Sequence, residues 1–149
     1  MANYYKIADI FNLYERGMPM DDLALLYSVS NVFLLTSKAE GLGMPVLEAM
    51  ACGIPILVSD TGALPELAGD GRGWTIPIGL ENIDVWGNSK RGYVDTRLGA
   101  ERLVHMFNSP EEVAKRAGNA YEYIIRDRTW AACANHFMEE LEKLNNEQK

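Results

Sequence analysis

The sequence predicts an α/β fold, a parallel sheet flanked by helices, with a helical C-terminus. Three observations predict it. Two short apolar runs, "NVFLLTS" and "IPILVS", are rich in strand formers and enclose a helical pattern. Strand, helix and strand in alternation build right-handed crossovers and a parallel sheet, whose inner strands are apolar on both faces. The last third of the chain then carries three successive helical patterns.

Each element has a local reason. "YYKIADIF", Tyr4–Phe11, is expected as a strand. "MPMDDLALLYSVS" is expected as a helix: Asp21 and Asp22 suit its positive N-terminal end, and Leu23, Leu26 and Tyr27 share a face. "NVFLLTS" follows as a strand buried on both sides. Gly41 and Gly43 interrupt regular structure, and Pro45 suits a first helical position. "VLEAMACG" runs on as a helix that Gly53 ends. "IPILVS" is a second buried strand, "DTGALPEL" a loop with one helical turn, and "GDGRGWTIPI" a turn and short strand. Leu80–Thr96 mixes aromatic, charged and glycine residues and is expected as a structured loop or insertion, in which Trp86 suits packing and sugar stacking equally. Pro110 suits the start of the second late helix and Thr129 the N-cap of the third. The polar "NNEQK" end is expected to fray.

The chain has 149 residues, enough for one domain that buries roughly two-thirds of its unfolded surface. Hydrophobic residues make up 48% and charged residues 23%, an ordinary globular balance. Fourteen basic against 21 acidic residues give a net charge of -7, which argues against a nucleic-acid binder. A local anion site remains open, because a helix N-terminus can hold one. Cys52 and Cys133 form no metal-ligand run and are both expected to be buried. Two lone thiols suit a cytoplasmic protein. No apolar run approaches the ~20 residues of a membrane span, and no signal peptide is evident.

Candidate chemistry gathers in "SKAEGLGMPVLEAMACG", Ser37–Gly53. Ligands of open parallel sheets bind beyond the C-terminal strand ends. Ser37–Met44 and Ser59–Leu64 are the loops leaving those ends, and they are expected to flank one crevice. Amides at the helix start, such as those of Val46 and Leu47, are expected to lack intrahelical partners and to face a phosphate. Glu48, in the first turn or so, suits the vicinal hydroxyls of a ribose, and equally a simple compensation of the helix dipole. Glu40, eight positions earlier, suits sugar hydroxyls or positive charge developing at an anomeric carbon; spacing alone also allows a solvated loop carboxylate. Gly41 and Gly43 admit a close ligand, or make an ordinary turn.

"TSKAEGLGMPVLEAMACGIPILVSDTGALPEL", Thr36–Leu67, closely resembles the signature of retaining glycosyltransferases with the GT-B fold, particularly glycosyltransferase family four. Glu40, Gly41, Gly43, Pro45, Glu48, Ala49, Met50, Gly53, Pro55, Gly62, Pro65 and Glu66 stand where that pattern has them. Leu42 replaces a common Phe and Ala63 a common Gly, and neither change removes a reactive group. The resemblance extends loosely to "LALLYSVSNVFLL" and Trp130. It implies a Rossmann-like sheet, the C-terminal part of a donor-binding domain. It further implies that Glu40 is catalytic, near the reacting centre, and that Gly41, Leu42, Gly43 and Met44 approach sugar and diphosphate. Glu48 would bind the ribose, with Asp60, Thr61 and Gly62 lining the same crevice. The donor would be a nucleotide-diphosphate sugar, with no cofactor and no metal needed for transfer.

The resemblance covers the later part of one domain. An acceptor-binding Rossmann-like partner, domain or chain, is therefore expected, for an acceptor the sequence does not name. The whole chain, 1–149, reads as a single partial nucleotide-sugar-binding domain, cytoplasmic or at the membrane periphery. The alternatives are a subunit of a split transferase and a non-catalytic nucleotide-sugar-binding or interaction module. Arg16, Lys38, Arg72, Lys90 and Arg91 are candidates for the diphosphate by charge alone, each more simply a solvated surface residue. His105 and His136 lie on helical patterns beyond the motif and read as structural.

Overall fold

The computed structural model describes Ile10, Asn12, Tyr14 and residues 17–85 and 89–147. Arg16, Trp86 and, apart from Ile10, the strand expected over Tyr4–Phe11 lie outside the described residues. Helix α1, Met20–Ser28, opens with Asp21 and Asp22 in its first turn and buries Tyr27. Strand β1, Phe33–Leu35, leads to helix α2, Met44–Ala51, and that to strand β2, Ile56–Ser59. Helix α3, Leu64–Ala68, and strand β3, Trp74–Ile76, follow. The three strands are parallel in the order β1–β2–β3, with Leu34 beside Leu57 and Val58 beside Thr75.

Burial follows from this order. Central β2 is buried along its whole length. The expectation that β1 is buried on both sides does not hold: Leu34 is 46% exposed. Among the described residues β1 pairs only with β2, and an apolar run does not distinguish a central strand from an edge. Val46, Ala49 and Met50 of α2 pack with Ile56, Val58, Leu64 and Leu67, and with Ala120 and Ile124 of the late helices. Leu57, Trp74, Ile76 and Met106 form a second cluster.

Most of the described part of Leu80–Thr96, expected as a structured loop or insertion, is strand rather than loop. Strands β4, Ile78–Asp84, and β5, Ser89–Val94, make an antiparallel hairpin, and Thr96 already begins a helix. The pairs Lys90–Glu81 and Arg91–Asp84 cross it. Its strands are mostly exposed, so neither the alternation nor the apolar run that flags a strand is present.

Three helices complete the chain: α4, Thr96–Asn108, α5, Pro110–Asp127, and α6, Trp130–Glu147. Asp95 caps α4 through the Leu98 amide, and Thr129 Oγ1 accepts from the Ala132 amide as expected of an N-cap. "NNE" of the expected frayed end is helical in α6. Cys52 is half-buried, whereas Cys133, expected to be buried, is exposed. The reason is α6 itself, along which Trp130, Phe137, Met138 and Leu144 are all exposed. No described helix is long and apolar enough to cross a membrane.

Candidate functional site

Parallel pairing fixes where the chemistry collects. The loops after β1 and β2 leave the sheet at one end, and so does the hairpin, which begins two residues after β3. Ser59, fully buried at the end of β2, donates from Oγ to the Ser37 carbonyl at 2.7 Å. Ser37 Oγ in turn donates to Glu40 Oε1 at 2.8 Å. The second loop also touches the first, because the Ala63 amide donates to the Glu40 carbonyl at 3.4 Å. The expected crevice walls are therefore neighbours, and the Glu40 carboxylate is half-buried and oriented by Ser37. The sequence singles out neither serine as a site residue: Ser59 acts by pairing between loops, and Ser37 by a bond to Glu40 within its own loop.

Gly62 and Gly43 are glycines for different reasons. Gly62 has φ +57°, and a Cβ there would lie 2.2 Å from the Glu40 carbonyl oxygen. It is the close approach of the loops that excludes a side chain. Gly43 has φ +79° and is buried; a Cβ would meet Leu64 Cδ2 at 2.8 Å. Its smallness serves the packing of α2 on α3. Gly41 is exposed, with nothing within 4 Å of its would-be Cβ.

On either side of buried Gly43 the turn is exposed, Leu42 48% and Met44 54%. Gly43 is the N-cap of α2 and offers no side chain to cap it. Met44 is the first helical residue and Pro45 the second, one place later than expected. The Val46 and Leu47 amides are not unpartnered: both donate to the Gly43 carbonyl, at 2.9 and 3.3 Å. The tight turn at Gly43 closes the first helical hydrogen bonds at once. The amides without a described partner lie just before them: no described residue accepts from Leu42, Gly43 or Met44.

Glu48 sits on the α1 side of α2. Tyr27 donates from its hydroxyl to Glu48 Oε2 at 3.1 Å. Burial, and then the Glu48 carboxylate at its hydroxyl, push the Tyr27 phenol up to about 12. Glu48 and Tyr27 line a recess of about 180 Å³ with Met20, Leu23 and Ala51. The two glutamates are thus positioned separately, Glu40 by the serines of the sheet ends and Glu48 by a tyrosine of α1. Asp60 is exposed, and the Asp60 and Thr61 amides are tied to the Ile76 and Ser59 carbonyls.

The basic candidates separate. Arg72 is not a solvated residue: its side chain is only 11% exposed, stacked on Tyr123 and donating to the Leu67 and Glu66 carbonyls. It closes the C-terminal end of α3. Lys90 is an exposed partner of Glu81, and Arg91 pairs with Asp84. Lys38 belongs to the Glu40 loop, its Nζ bonded to the Tyr93 hydroxyl at 3.1 Å. His105 joins Glu112 across α4 and α5, and His136 faces Glu139 on α6, away from the motif as expected.

Residues 1–85 match the family model "Glycosyl transferases group 1". The chain is 45% identical over 72 residues to O-antigen chain mannosyltransferase B of Escherichia coli, covering 41% of this chain and 19% of that protein. Two solved structures share the fold. Sucrose-phosphate synthase from Thermosynechococcus elongatus superposes with TM-score 0.74 at 22% identity, over 97% of this chain and 33% of the other. Anabaena HepE in complex with UDP and glucose gives TM-score 0.73 at 19% identity, over 95% of this chain and 34% of the other. The chain therefore spans about a fifth to a third of the length of these relatives. The parallel sheet, its flanking helices and the helical C-terminus are similar to those of GT-B glycosyltransferase C-terminal domains, as the sequence predicts.

Proposed function

The chain belongs to the glycosyl transferases group 1 family, and from that premise we propose that it is the donor-binding part of a retaining sugar transferase. The reaction moves a sugar from a nucleotide-diphosphate donor to an acceptor. The single observation that carries the assignment is the turn Gly41–Met44, with Gly41, Leu42 and Met44 exposed and no described partner for the Leu42, Gly43 and Met44 amides, placed directly after an oriented carboxylate.

The chemistry follows from the geometry. Diphosphate oxygens accept from the amides of Leu42, Gly43 and Met44 at the positive end of α2. Bare Gly41 lets the ligand come close to the backbone. Glu40, held by Ser37, faces the transferred sugar and stabilises positive charge as the glycosidic bond stretches. The same amides stabilise the departing diphosphate. Glu48 gives Oε2 to Tyr27 and keeps Oε1 for ribose hydroxyls. Asp60, Thr61 and Gly62 form the wall beside Glu40. HepE, a structural neighbour, is described with UDP and glucose, which supports a uridine or related nucleotide here.

Calorimetric titration of the chain with UDP, GDP and ADP tests this. Weak binding of at least one is expected, with little transfer by the isolated chain, because one wall positions an acceptor poorly. Absence of binding to all three by the folded chain rejects the site. In the assembled enzyme Glu40→Gln should abolish transfer while sparing nucleotide binding.

A second reading, a subunit completed by another Rossmann-like chain, is favoured by one observation. Leu25, Leu26 and Val29 of α1 line an open recess of about 500 Å³ with Tyr14 and Met18. Co-purification with such a chain would support it, and a fully active monomer would exclude it. In a pure interaction module Glu40→Gln would be silent.

A further inference from the structure

We propose that Tyr27 is a positioning residue for ribose recognition: its hydroxyl holds Glu48 Oε2, which sets Oε1 toward the hydroxyls of a bound nucleotide and makes the site prefer a ribonucleotide to its deoxy analogues. The inference rests on the donor reading above and names the residue of α1 that tunes it.

The carboxylate is the first argument. Glu48 lies beyond the first turn of α2, and the helix dipole acts on acidic side chains within that turn. Dipole compensation therefore does not account for it. It is half-buried, and among the described residues Tyr27 is its one hydrogen-bond partner and no cation pairs with it. Oε1 is bonded to no described residue and is not buried, so its acceptor capacity is available to a ligand. The rest of the recess is mostly apolar, with Met20, Leu23, Ala24 and Ala51 in its wall. Hydroxyl donors from a ligand are what this carboxylate lacks.

Placement is the second argument. Met44 stands one helical turn before Glu48 on the same face, and helical side chains lean toward the N-terminus of their helix. The Tyr27 hydroxyl marks that direction, since it also lies 3.4 Å from the Pro45 carbonyl in the first turn. The carboxylate therefore leans toward the turn whose amides are proposed for the diphosphate. A single methylene joins the ribose to the inner phosphate of a nucleotide, so the ribose lies beside whatever holds that phosphate. Tyr27 is itself fixed: it is buried, and its ring meets Phe33 of β1 edge-on with centroids 5.7 Å apart. A packed phenol with one orientation selects one rotamer of its carboxylate partner.

Calorimetry on the chain compares UDP, GDP and ADP, and then the 2′- and 3′-deoxy analogues of the tightest, in the wild type, Tyr27→Phe and Glu48→Ala. The wild type should favour the ribonucleotide over at least one deoxy analogue about tenfold or more. Tyr27→Phe keeps the ring and should cut that preference about threefold or more, with the affinity for the deoxy analogue unchanged. Adding Tyr27→Phe to Glu48→Ala should alter the preference no further, because the group it positions is gone. In the wild type, carbon NMR of labelled tyrosine should show Tyr27 Cζ moving with the ribonucleotide and less with that deoxy analogue, a readout independent of how the variants fold. With nucleotide binding intact, the proposal is overturned by a wild type without ribose preference, by an undiminished preference in Tyr27→Phe, by an equal loss for every nucleotide, or by a Cζ that responds to neither. Binding of no nucleotide by the folded chain rejects the donor reading and the proposal together.

Discussion

Two regions bring residues to one end of the sheet and are held there by different forces. The β1–α2–β2–α3 unit carries Glu40 and Glu48 on a core of fully buried side chains, Val46, Met50, Ile56, Val58 and Leu64. The β4–β5 hairpin carries Lys90 and Arg91 on a mostly exposed ladder crossed by surface ion pairs. Burial fixes the first through dispersion and the exclusion of water, whereas screened charges and backbone pairing fix the second. The difference suits the proposed roles of Glu40 and Glu48, which would meet the transferred sugar and the ribose from the rigid side.

The largest effect should come from the rigid side. Met50→Ala opens a cavity where nothing is exposed and should cost about 2–5 kcal/mol in chemical denaturation. A loss as small as that of a surface residue would break the contrast. Gly62→Ala comes next, at about 2–4 kcal/mol, because it adds left-handed strain and drives a Cβ into the Glu40 carbonyl. If it is tolerated, the two crevice loops are not coupled as described.

An intermediate effect belongs to Tyr27. Its folded phenol titrates near 12 against an unfolded 10, so the fold favours the protonated form. That contribution, about 2–3 kcal/mol, is fully present below pH 10 and lost as pH rises through 12. Denaturation midpoints across that window should fall in the wild type, and this component of the fall should be missing in Tyr27→Phe. The smallest effect is on the hairpin, where Lys90→Ala should change stability by less than about 0.5 kcal/mol. A larger loss would mean that the exposed ladder is as tightly built as the core.

The same division explains what could be read in advance. α2, β2, α3 and β3 were legible because apolar spacing, Pro45 and Gly53 act within a few residues of where they stand. The three late helices announced themselves in the same way. The hairpin did not, because its strands bury little and their pairing joins residues such as Asn82 and Arg91 from opposite arms. The site divides similarly. Glu40, Glu48 and the glycine turn stood in a recognisable order. The Val46 and Leu47 amides were misjudged because the helix begins at Met44, one residue earlier than expected: Leu47 already makes the first α-helical bond to Gly43, and Val46 makes a tighter one to the same carbonyl.

The sequence by itself determined the family signature, the alternation that makes the sheet parallel, and the carboxylates available for chemistry. These depend on residue type and short-range spacing, which survive without coordinates. Only the tertiary structure decided that Ser59 and Ser37 aim Glu40, that Tyr27 takes one oxygen of Glu48, and that the hairpin is fastened to Lys38. Apart from the Ser37–Glu40 bond within one loop, those contacts join segments far apart in the chain, and a hydrogen bond of fixed length forms only once packing has set the distance between them.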